Sequence, residues 1–196
     1  MADFGTAYQV LEQNEGGYEN NPSDRGGETY RGIARNYHPD WTGWTWIDNY
    51  KYQYGPIPRG TVFSKLESDV QQFVYENFWV PIQGDSIQNQ QLANMVLDFC
   101  YESGHGPEQI NLALGLPGTN SITTDTVNAM NADPVNAFNV IKQQRLNYYE
   151  NLNQEGYISD NLIQGVLDRV RKLASPTAIA ITGGATAVIA LLVFFC

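Results

Sequence analysis

The sequence predicts a mainly helical protein that ends in a single apolar helix. Apolar residues recur at intervals of three and four through most of residues 1–173, which is the spacing of one helix face. Proline and glycine occur between these stretches, at positions typical of helix ends. Residues 177–196 carry no charge. We therefore expect one helical domain over 1–173, a linker at 174–176 and a transmembrane helix over 177–196.

The first helix is indicated by residues spaced to share one face: Phe4, Tyr8, Leu11 and Glu15. Gly16 and Gly17 follow, and glycine reaches the left-handed conformation that commonly ends a helix. Glu15 would then lie in the last turn, on the buried side. Burial and the negative end of the helix dipole both disfavour an ionised carboxylate, so we expect a raised pKa for Glu15.

The next stretch, to about residue 60, is predicted to be irregular. A capping-box pattern over 64–67 then predicts a second helix that runs towards Trp79 and ends before Pro81. Asp133 and Pro134 supply a cap and a first-turn proline for a long helix to about Leu152. Further helices are expected over residues 89–103, 107–115, 124–131 and 159–173.

The sequence EGGY at 15–18, followed by NNPSDRGGETYRGI at 20–33, carries a family resemblance. An E-G-G-Y tetrad, a D-x-G-G-x-T block and a G-I pair in this order resemble the N-terminal signature of glycoside hydrolase family 108. That family comprises bacterial and phage N-acetylmuramidases with a lysozyme-like helical fold. The resemblance implies peptidoglycan as the substrate, no cofactor, and Glu15 as the essential catalytic residue.

The resemblance covers roughly residues 1–173, and the first 35 carry most of it. It implies a catalytic part over 1–80 and a peptidoglycan-binding-like helical part over 81–173. The loop over 117–121, with the sequence PGTNS, departs from the Asp-Gly loop that is usual in the family. No wall-binding residues are assigned there for this reason.

A second resemblance concerns spacing. Phage lysozymes of the T4 type separate their functional Glu and Asp by eight residues, and the Asp from a Thr by five. Here eight residues separate Glu15 from Asp24, and four separate Asp24 from Thr29. By that likeness Asp24 would stabilise the oxocarbenium-like centre or help to position water, and Thr29 would orient the water. The alternatives are a turn-capping Asp24 and a plain strand threonine.

Composition favours a glycan rather than a nucleic acid as the partner. The formal net charge of −10 and the pI near 4.5 leave no basic surface for phosphate. Eight tyrosines and tryptophans lie between residues 30 and 54, and aromatic faces stack well on sugars. Core packing is the alternative for any one ring, and we expect one or two to line a cleft. The candidates for substrate binding are Tyr18, Tyr30, Trp41, Trp44 and Trp46.

Cysteine and histidine contribute little to the predicted chemistry. Cys100 lies in an apolar helical run and fits a buried thiol better than a nucleophile paired with His105. His38 and His105 are too isolated in the sequence for a zinc site. No metal site is therefore predicted.

The tail predicts a membrane protein. Twenty uncharged residues at about 1.5 Å each match a hydrocarbon core of about 30 Å. The N-terminal residues are too polar for a signal peptide, and Arg169, Arg171 and Lys172 precede the span. The prediction is a single-pass C-terminal anchor in a host inner membrane or an internal virion membrane. Virion or membrane proteins are possible partners.

The predicted function is hydrolysis of the β-1,4 bond between N-acetylmuramic acid and N-acetylglucosamine, by a membrane-anchored lytic enzyme of a phage or prophage. One alternative is a lytic transglycosylase, in which the muramic 6-hydroxyl replaces water. The other is a noncatalytic, membrane-anchored virion or wall-binding protein. The masses of the products separate the first two, because the anhydro product lacks one water.

Overall fold

The computed structural model describes residues 1–21 and 26–173, and this part of the chain is mainly helical, as predicted, with a small sheet that was not. The strands are β1 (Tyr18–Asn20), β2 (Glu28–Tyr30) and β3 (Ile33–Ala34). The helices are α1 (Phe4–Asn14), α2 (Gly43–Tyr54), α3 (Glu67–Val74), α4 (Gln90–Glu102), α5 (Gly106–Ala113), α6 (Thr124–Ala132), α7 (Pro134–Gln154) and α8 (Asp160–Lys172). A π-helical turn, Tyr75–Trp79, follows α3 directly.

Helix α4 is the centre of the fold. It packs against α1, α5 and α7, and its apolar side chains are buried on nearly every side. Asn89 caps it by accepting a hydrogen bond from the Leu92 N–H at 2.9 Å. Because α1 and α4 pack along each other, Glu15, which follows α1, lies near the C-terminal turn of α4.

The sheet is an antiparallel meander with the order β1-β2-β3. Tyr30 pairs with Ile33, so only Arg31 and Gly32 lie in the turn between β2 and β3. Both have positive φ, 51° and 84°. Two consecutive residues of positive φ are the signature of a type I′ hairpin turn, which matches the twist of its strands. This turn contacts the end of α1.

The two glycines after α1 do not end the helix in the left-handed conformation that was predicted. Neither Gly16 nor Gly17 has positive φ, and Glu15 at the end of the helix is extended. Gly17 is needed for close approach instead, because a Cβ there would lie 2.4 Å from the Thr61 carbonyl oxygen. The neighbouring Tyr18 N–H donates to that same oxygen at 2.8 Å. The missing side chain therefore lets the 60–61 backbone pack against β1.

Helix α2 falls within the stretch that was predicted to be irregular, and that prediction is wrong. The helix buries Trp44 and Ile47. Its partly exposed side has aromatic rings at intervals of four, with Trp46 against Tyr50 and Tyr50 against Tyr54 at centroid distances of 5.4 and 4.8 Å. Ring contacts at this spacing stabilise a helix whose sequence has little apolar periodicity.

The other predicted helices are present, with ends shifted by up to two residues. The capping box over 64–67 does not form. Glu67 instead accepts hydrogen bonds from Tyr30 and Arg31, at 2.8 and 2.6 Å. The carboxylate thus joins α3 to the hairpin rather than capping its own helix.

The predicted membrane helix lies outside the described residues, as does the linker at 174–176. In the described ranges, no helix combines the length and the apolar character needed to cross a bilayer. The longest, α7, has 21 residues but carries Lys142, Arg145 and Glu150, and charged groups are costly in hydrocarbon. The predicted localisation in an inner or virion membrane is therefore wrong and is not retained, and neither is the lipid bilayer as a partner.

Candidate active site

Glu15 is the residue directly after α1, and its side chain is only 14% exposed. Its Oε1 accepts a hydrogen bond from Nη2 of Arg169, on α8, at 2.9 Å. Its Oε2 faces the hairpin turn, because a Cβ built on Gly32 would lie 2.6 Å from that oxygen. The glycine therefore provides both the positive φ of the turn and the space for the carboxyl group.

The turn is held over Glu15 from two sides. Tyr101 of α4 donates its hydroxyl hydrogen to the Arg31 carbonyl oxygen at 2.7 Å. The Arg31 guanidinium pairs with Glu67 at 2.6 Å and with Glu12 at 3.2 Å. These contacts connect the hairpin to α1, α3 and α4, so the surroundings of Glu15 are rigidly positioned.

Glu15 belongs to a group of buried charges that we call the carboxyl cluster: Glu15, Asp98, Glu102, Arg145 and Arg169. Arg145 lies 2.7 Å from Asp98 and 3.2 Å from Glu102. Arg169 lies 2.6 Å from Asp98 and also pairs with Glu102. The cluster thus contains three carboxyl groups and two guanidinium groups, drawn from α4, α7, α8 and the end of α1.

The pKa values in the carboxyl cluster differ in direction. Burial raises the pKa of Glu15 to about 7, and the charges of Glu102 and Asp98 add to the effect, while Arg169 opposes it. Burial likewise raises the pKa of Glu102. Burial also acts on Asp98, but Arg145 and Arg169 outweigh it and lower the pKa. A carboxyl that is protonated near neutral pH is able to donate a proton.

A cavity of about 510 Å³ lies next to this site. Its lining residues include Gly32 and Tyr101, which adjoin Glu15, and Glu102 of the carboxyl cluster. A second cavity of about 500 Å³ shares Tyr37, His38 and Phe73 with it. Because they share these residues, the two cavities are adjacent and lie between the carboxyl cluster and α3. We call the two together the cleft.

The other predicted catalytic residues lie apart from Glu15 or outside the described structure. Asp24 falls between the described ranges, 1–21 and 26–173. Thr29 is the middle residue of β2 and pairs with Glu19 and Ala34. Because strand side chains alternate, Thr29 faces away from the side of Glu28 and Tyr30. Its role, like that of Asp24, stays a prediction.

The predicted sugar-binding aromatics are mostly packed in the interior. Tyr18, Tyr30 and Trp44 are buried, and their polar atoms are used inside the fold, on Glu28, Glu67 and the His38 carbonyl respectively. Trp46 is partly buried against Tyr50 and Phe63. A sugar-binding role for these four rings stays a prediction.

Trp41 differs from the other candidate rings because it lines the cleft. It stacks on Tyr30 and makes an edge contact with Trp44, at centroid distances of 5.9 and 5.1 Å. Its Nε1 is buried, and no hydrogen-bond partner for it exists among the described residues. Tyr37, which is largely exposed, lines the same cleft. Of these two rings, Tyr37 has the exposed surface that a sugar could contact, because Trp41 is only 7% exposed.

The buried thiol is not a nucleophile. Burial raises the pKa of Cys100 to about 12, which keeps the thiol protonated and unreactive at neutral pH. His105 lies at the surface, where it pairs with Glu108 at 3.1 Å. His38 lies in the cleft against Phe73 and Phe78, and burial lowers its pKa. It is therefore neutral at pH 7.

Sequence reasoning missed the partners of Glu15. Asp98 was the detectable one, because a single carboxylate inside the apolar run LANMVLDFC indicates a buried ion pair. Arg145 and Arg169 gave no such signal, since each lies in a polar stretch of its helix. Arg169 had been interpreted as a charge flanking a membrane span, whereas it pairs with three carboxylates.

The comparisons with known proteins agree with this fold and with the family resemblance of its N-terminal half. Residues 8–104 match the sequence model of the family described as Glycosyl hydrolase 108, which supports the family resemblance for that part of the chain. A search of curated proteins found no match. SagA of Brucella abortus has a similar structure, with a TM-score of 0.59 and 20% sequence identity over 89% of this chain and 97% of SagA. At that identity, the likeness shows a shared fold.

Proposed function

We propose that the chain is a glycoside hydrolase of family 108 that cleaves peptidoglycan at the β-1,4 bond between N-acetylmuramic acid and N-acetylglucosamine. The observation that carries the proposal is the environment of Glu15. This glutamate of the EGGY sequence is buried, borders the cleft through Gly32 and Tyr101, and has a pKa of about 7. The family match over residues 8–104 includes it.

Glu15 would act as the general acid. Its protonated carboxyl would donate a proton to the glycosidic oxygen as the bond to the sugar carbon breaks. The sugar carbon develops positive charge, and water then adds to it. The water gives up one proton, which restores the protonated Glu15 carboxyl directly or through solvent, and its hydroxyl group forms the new reducing end. As the spacing resemblance implies, Asp24 would stabilise the positive charge or help to position that water. Thr29 faces away from the side of Glu28 and Tyr30, so the structure does not support its predicted role.

The substrate would occupy the cleft. Each of its two cavities, of about 510 and 500 Å³, is within the usual range for a ligand site. Tyr37, which is largely exposed, would offer a ring face to the sugars, and Trp41 would form part of the wall of the cleft. The helical part over 81–173 would bind the wall. Lysis by a phage or prophage stays a prediction, because none of the described residues bears on it.

The first test is the release of muropeptides from purified peptidoglycan by the full chain and by Glu15→Gln, with mass spectrometry as the readout. Reducing-end muramic products that disappear in Glu15→Gln, with a loss of at least about a thousandfold, support the proposal. Anhydro products would reassign the reaction to a transglycosylase. No release from the folded, unmodified chain would contradict an enzymatic function.

The pH dependence is a second, independent readout. A general acid must be protonated, so kcat/KM should fall tenfold per pH unit above the pKa of Glu15, about 7. The expected profile has an alkaline limb near pH 7, measured on soluble peptidoglycan fragments. An alkaline limb near pH 4.5, the pKa of an unperturbed Glu, would contradict the assignment of Glu15 as the general acid.

A further inference from the structure

Arg169 makes contacts that anchoring its own helix does not require. Helix α8 buries Ile163, Leu167 and Val170 against the fold and packs mainly on α7. Its last turn is held by Lys142, whose ammonium donates to the Arg171 and Leu173 carbonyl oxygens at 2.9 and 3.0 Å. These contacts hold α8 without the Arg169 guanidinium, which points into the carboxyl cluster.

The two terminal nitrogens of the Arg169 guanidinium bind different carboxyl groups of the carboxyl cluster. Nη2 donates to Glu15 at 2.9 Å and to Asp98 at 2.6 Å, while Nη1 donates to Glu102. Glu15 and Glu102 stand at the C-terminal ends of α1 and α4, where both helix dipoles are negative. One planar cation therefore fixes the directions of two carboxyl groups that would otherwise repel each other.

We propose that Arg169 is a positioning residue for Glu15, fixing the orientation of its carboxyl against Gly32, which lines the cleft. This inference rests on the proposed function of Glu15. It also extends the site beyond the segment that matches the family, because Arg169 lies 65 positions after residue 104. Helix α8 thus completes the site.

The charges that face Glu15 determine the expected direction of the effect. The carboxylates of Glu102 and Asp98 raise the proton affinity of Glu15. Tyr8, Glu12 and Tyr101 line the small cavity on its other side, together with Arg31. The Arg31 guanidinium donates a hydrogen bond to the backbone carbonyl oxygen of Glu15 at 3.4 Å. Arg169 is the cation on the carboxyl itself and lowers the pKa of Glu15. Loss of this cation should raise that pKa further.

The test compares the full chain with Arg169→Gln and Arg169→Lys. In each, the Glu15 carboxyl is titrated by ¹³C NMR, with its signal assigned by its absence in Glu15→Gln. Arg169→Gln should raise the titration midpoint by about 1 to 3 pH units, since an opposite charge at this distance has an effect of that size. The alkaline limb of kcat/KM should move with it. Arg169→Lys keeps the charge but not the planar fork, so kcat should fall at unchanged KM while the midpoint stays.

Arg171→Gln is the matched control, because Arg171 is on the same helix, is half exposed and pairs with Asp168 at 3.3 Å rather than with the carboxyl cluster. It should leave the titration and the pH profile unchanged. An unmoved Glu15 midpoint in Arg169→Gln overturns the proposal, and so does an unaltered kcat in Arg169→Lys. If Arg169→Gln does not fold, the kcat and KM of Arg169→Lys decide.

Failure of the proposed function would look different. If Glu15→Gln retained activity, Glu15 would not be the acid, yet the NMR titration would still report whether Arg169 controls its proton. The coupling between the two groups and the role of Glu15 in the reaction are thus measured separately.

Discussion

Two buried glutamates, Glu28 and Glu15, lie only thirteen positions apart in sequence but differ in their surroundings. Glu28 of β2 contacts Lys51 at 2.6 Å, Arg35 at 2.5 Å and the Tyr18 hydroxyl at 2.7 Å. Glu15 has one cation on its carboxyl, Arg169, and shares it with two other carboxylates. The exposed fractions of the two side chains are similar, at 9% and 14%, but Glu15 is more deeply surrounded by protein and has fewer cations on its carboxyl.

The pKa values of Glu15 and Glu28 shift in opposite directions, in line with the number of cations around each carboxyl. Burial acts to raise the pKa of Glu28, but the hydrogen bonds from Lys51, Tyr18 and Arg35 outweigh it, so the pKa is lowered. Around Glu28, two cations face two carboxylates, the second being Asp48. Around Glu15, two guanidinium groups face three carboxyl groups, and a proton compensates for the deficit. A buried carboxyl is therefore a candidate acid only where cations are too few.

The largest expected effect comes from removing the charge at the centre of the carboxyl cluster. Asp98 is 1% exposed and pairs with Arg145, which is fully buried. Asp98→Asn would leave the buried Arg145 guanidinium without its closest negative charge. Breaking a buried ion pair in this way costs about 3–5 kcal/mol. We expect a loss of this size in the free energy of unfolding, measured by urea denaturation.

Asp168→Asn serves as the control for Asp98→Asn. Asp168 pairs with Arg171 on the surface of α8, and such pairs contribute about 0–1 kcal/mol. A similar loss in both variants would mean that burial does not distinguish the carboxyl cluster. If Asp98→Asn folds, its alkaline limb should also move to lower pH, because one negative charge near Glu15 has been removed.

The sequence predicted most of the helices but not what joins them. Helix α4 begins after the N-cap residue Asn89, and α7 begins at Pro134 after the N-cap residue Asp133. Such capping patterns depend only on neighbouring residues. Helix α2 was missed because its stability comes from ring contacts and from burial of Trp44, neither of which produces a regular apolar pattern. Packing and burial of aromatic side chains thus form a helix where the local sequence has only a weak preference for one.

The same distinction applies to the site. The burial and raised pKa of Glu15 followed from its position at a helix end, which is local information. Arg169 and Asp98 reach Glu15 from 154 and 83 positions away, and no spacing rule connects them. Tyr30 and Trp44 were chosen by residue type alone, and the type does not distinguish a core ring from a cleft ring.

The next prediction contrasts the two glutamates directly. Glu28 has a lowered pKa, so its stabilising effect is present above the unfolded value of about 4.5 and is lost as the pH falls through the folded value. Glu28→Gln should therefore destabilise the protein by about 1–3 kcal/mol at pH 7, and by less in acid. It should leave kcat per folded molecule unchanged.

Glu15 should show the opposite trend with pH. Its pKa is raised to about 7, so its contribution to stability is present below about 4.5 and is lost as the pH rises through about 7. Relative to the unmodified chain, Glu15→Gln should gain stability over that interval. Thermal melts of both variants between pH 4 and 8 measure the slopes. Slopes of the same sign would contradict the contrast.

The smallest effect is expected at Glu12, which lies three positions before Glu15 at the end of the same helix. Its side chain is 37% exposed and pairs with Arg31 at 3.2 Å, while Arg31 keeps its shorter contact with Glu67. Glu12→Gln should change the free energy of unfolding by less than about 1 kcal/mol. It should leave the alkaline limb of kcat/KM in place. A shift as large as that in Arg169→Gln would mean that any charge near the helix end sets the proton affinity of Glu15, and the contacts of Arg169 would lose their special role.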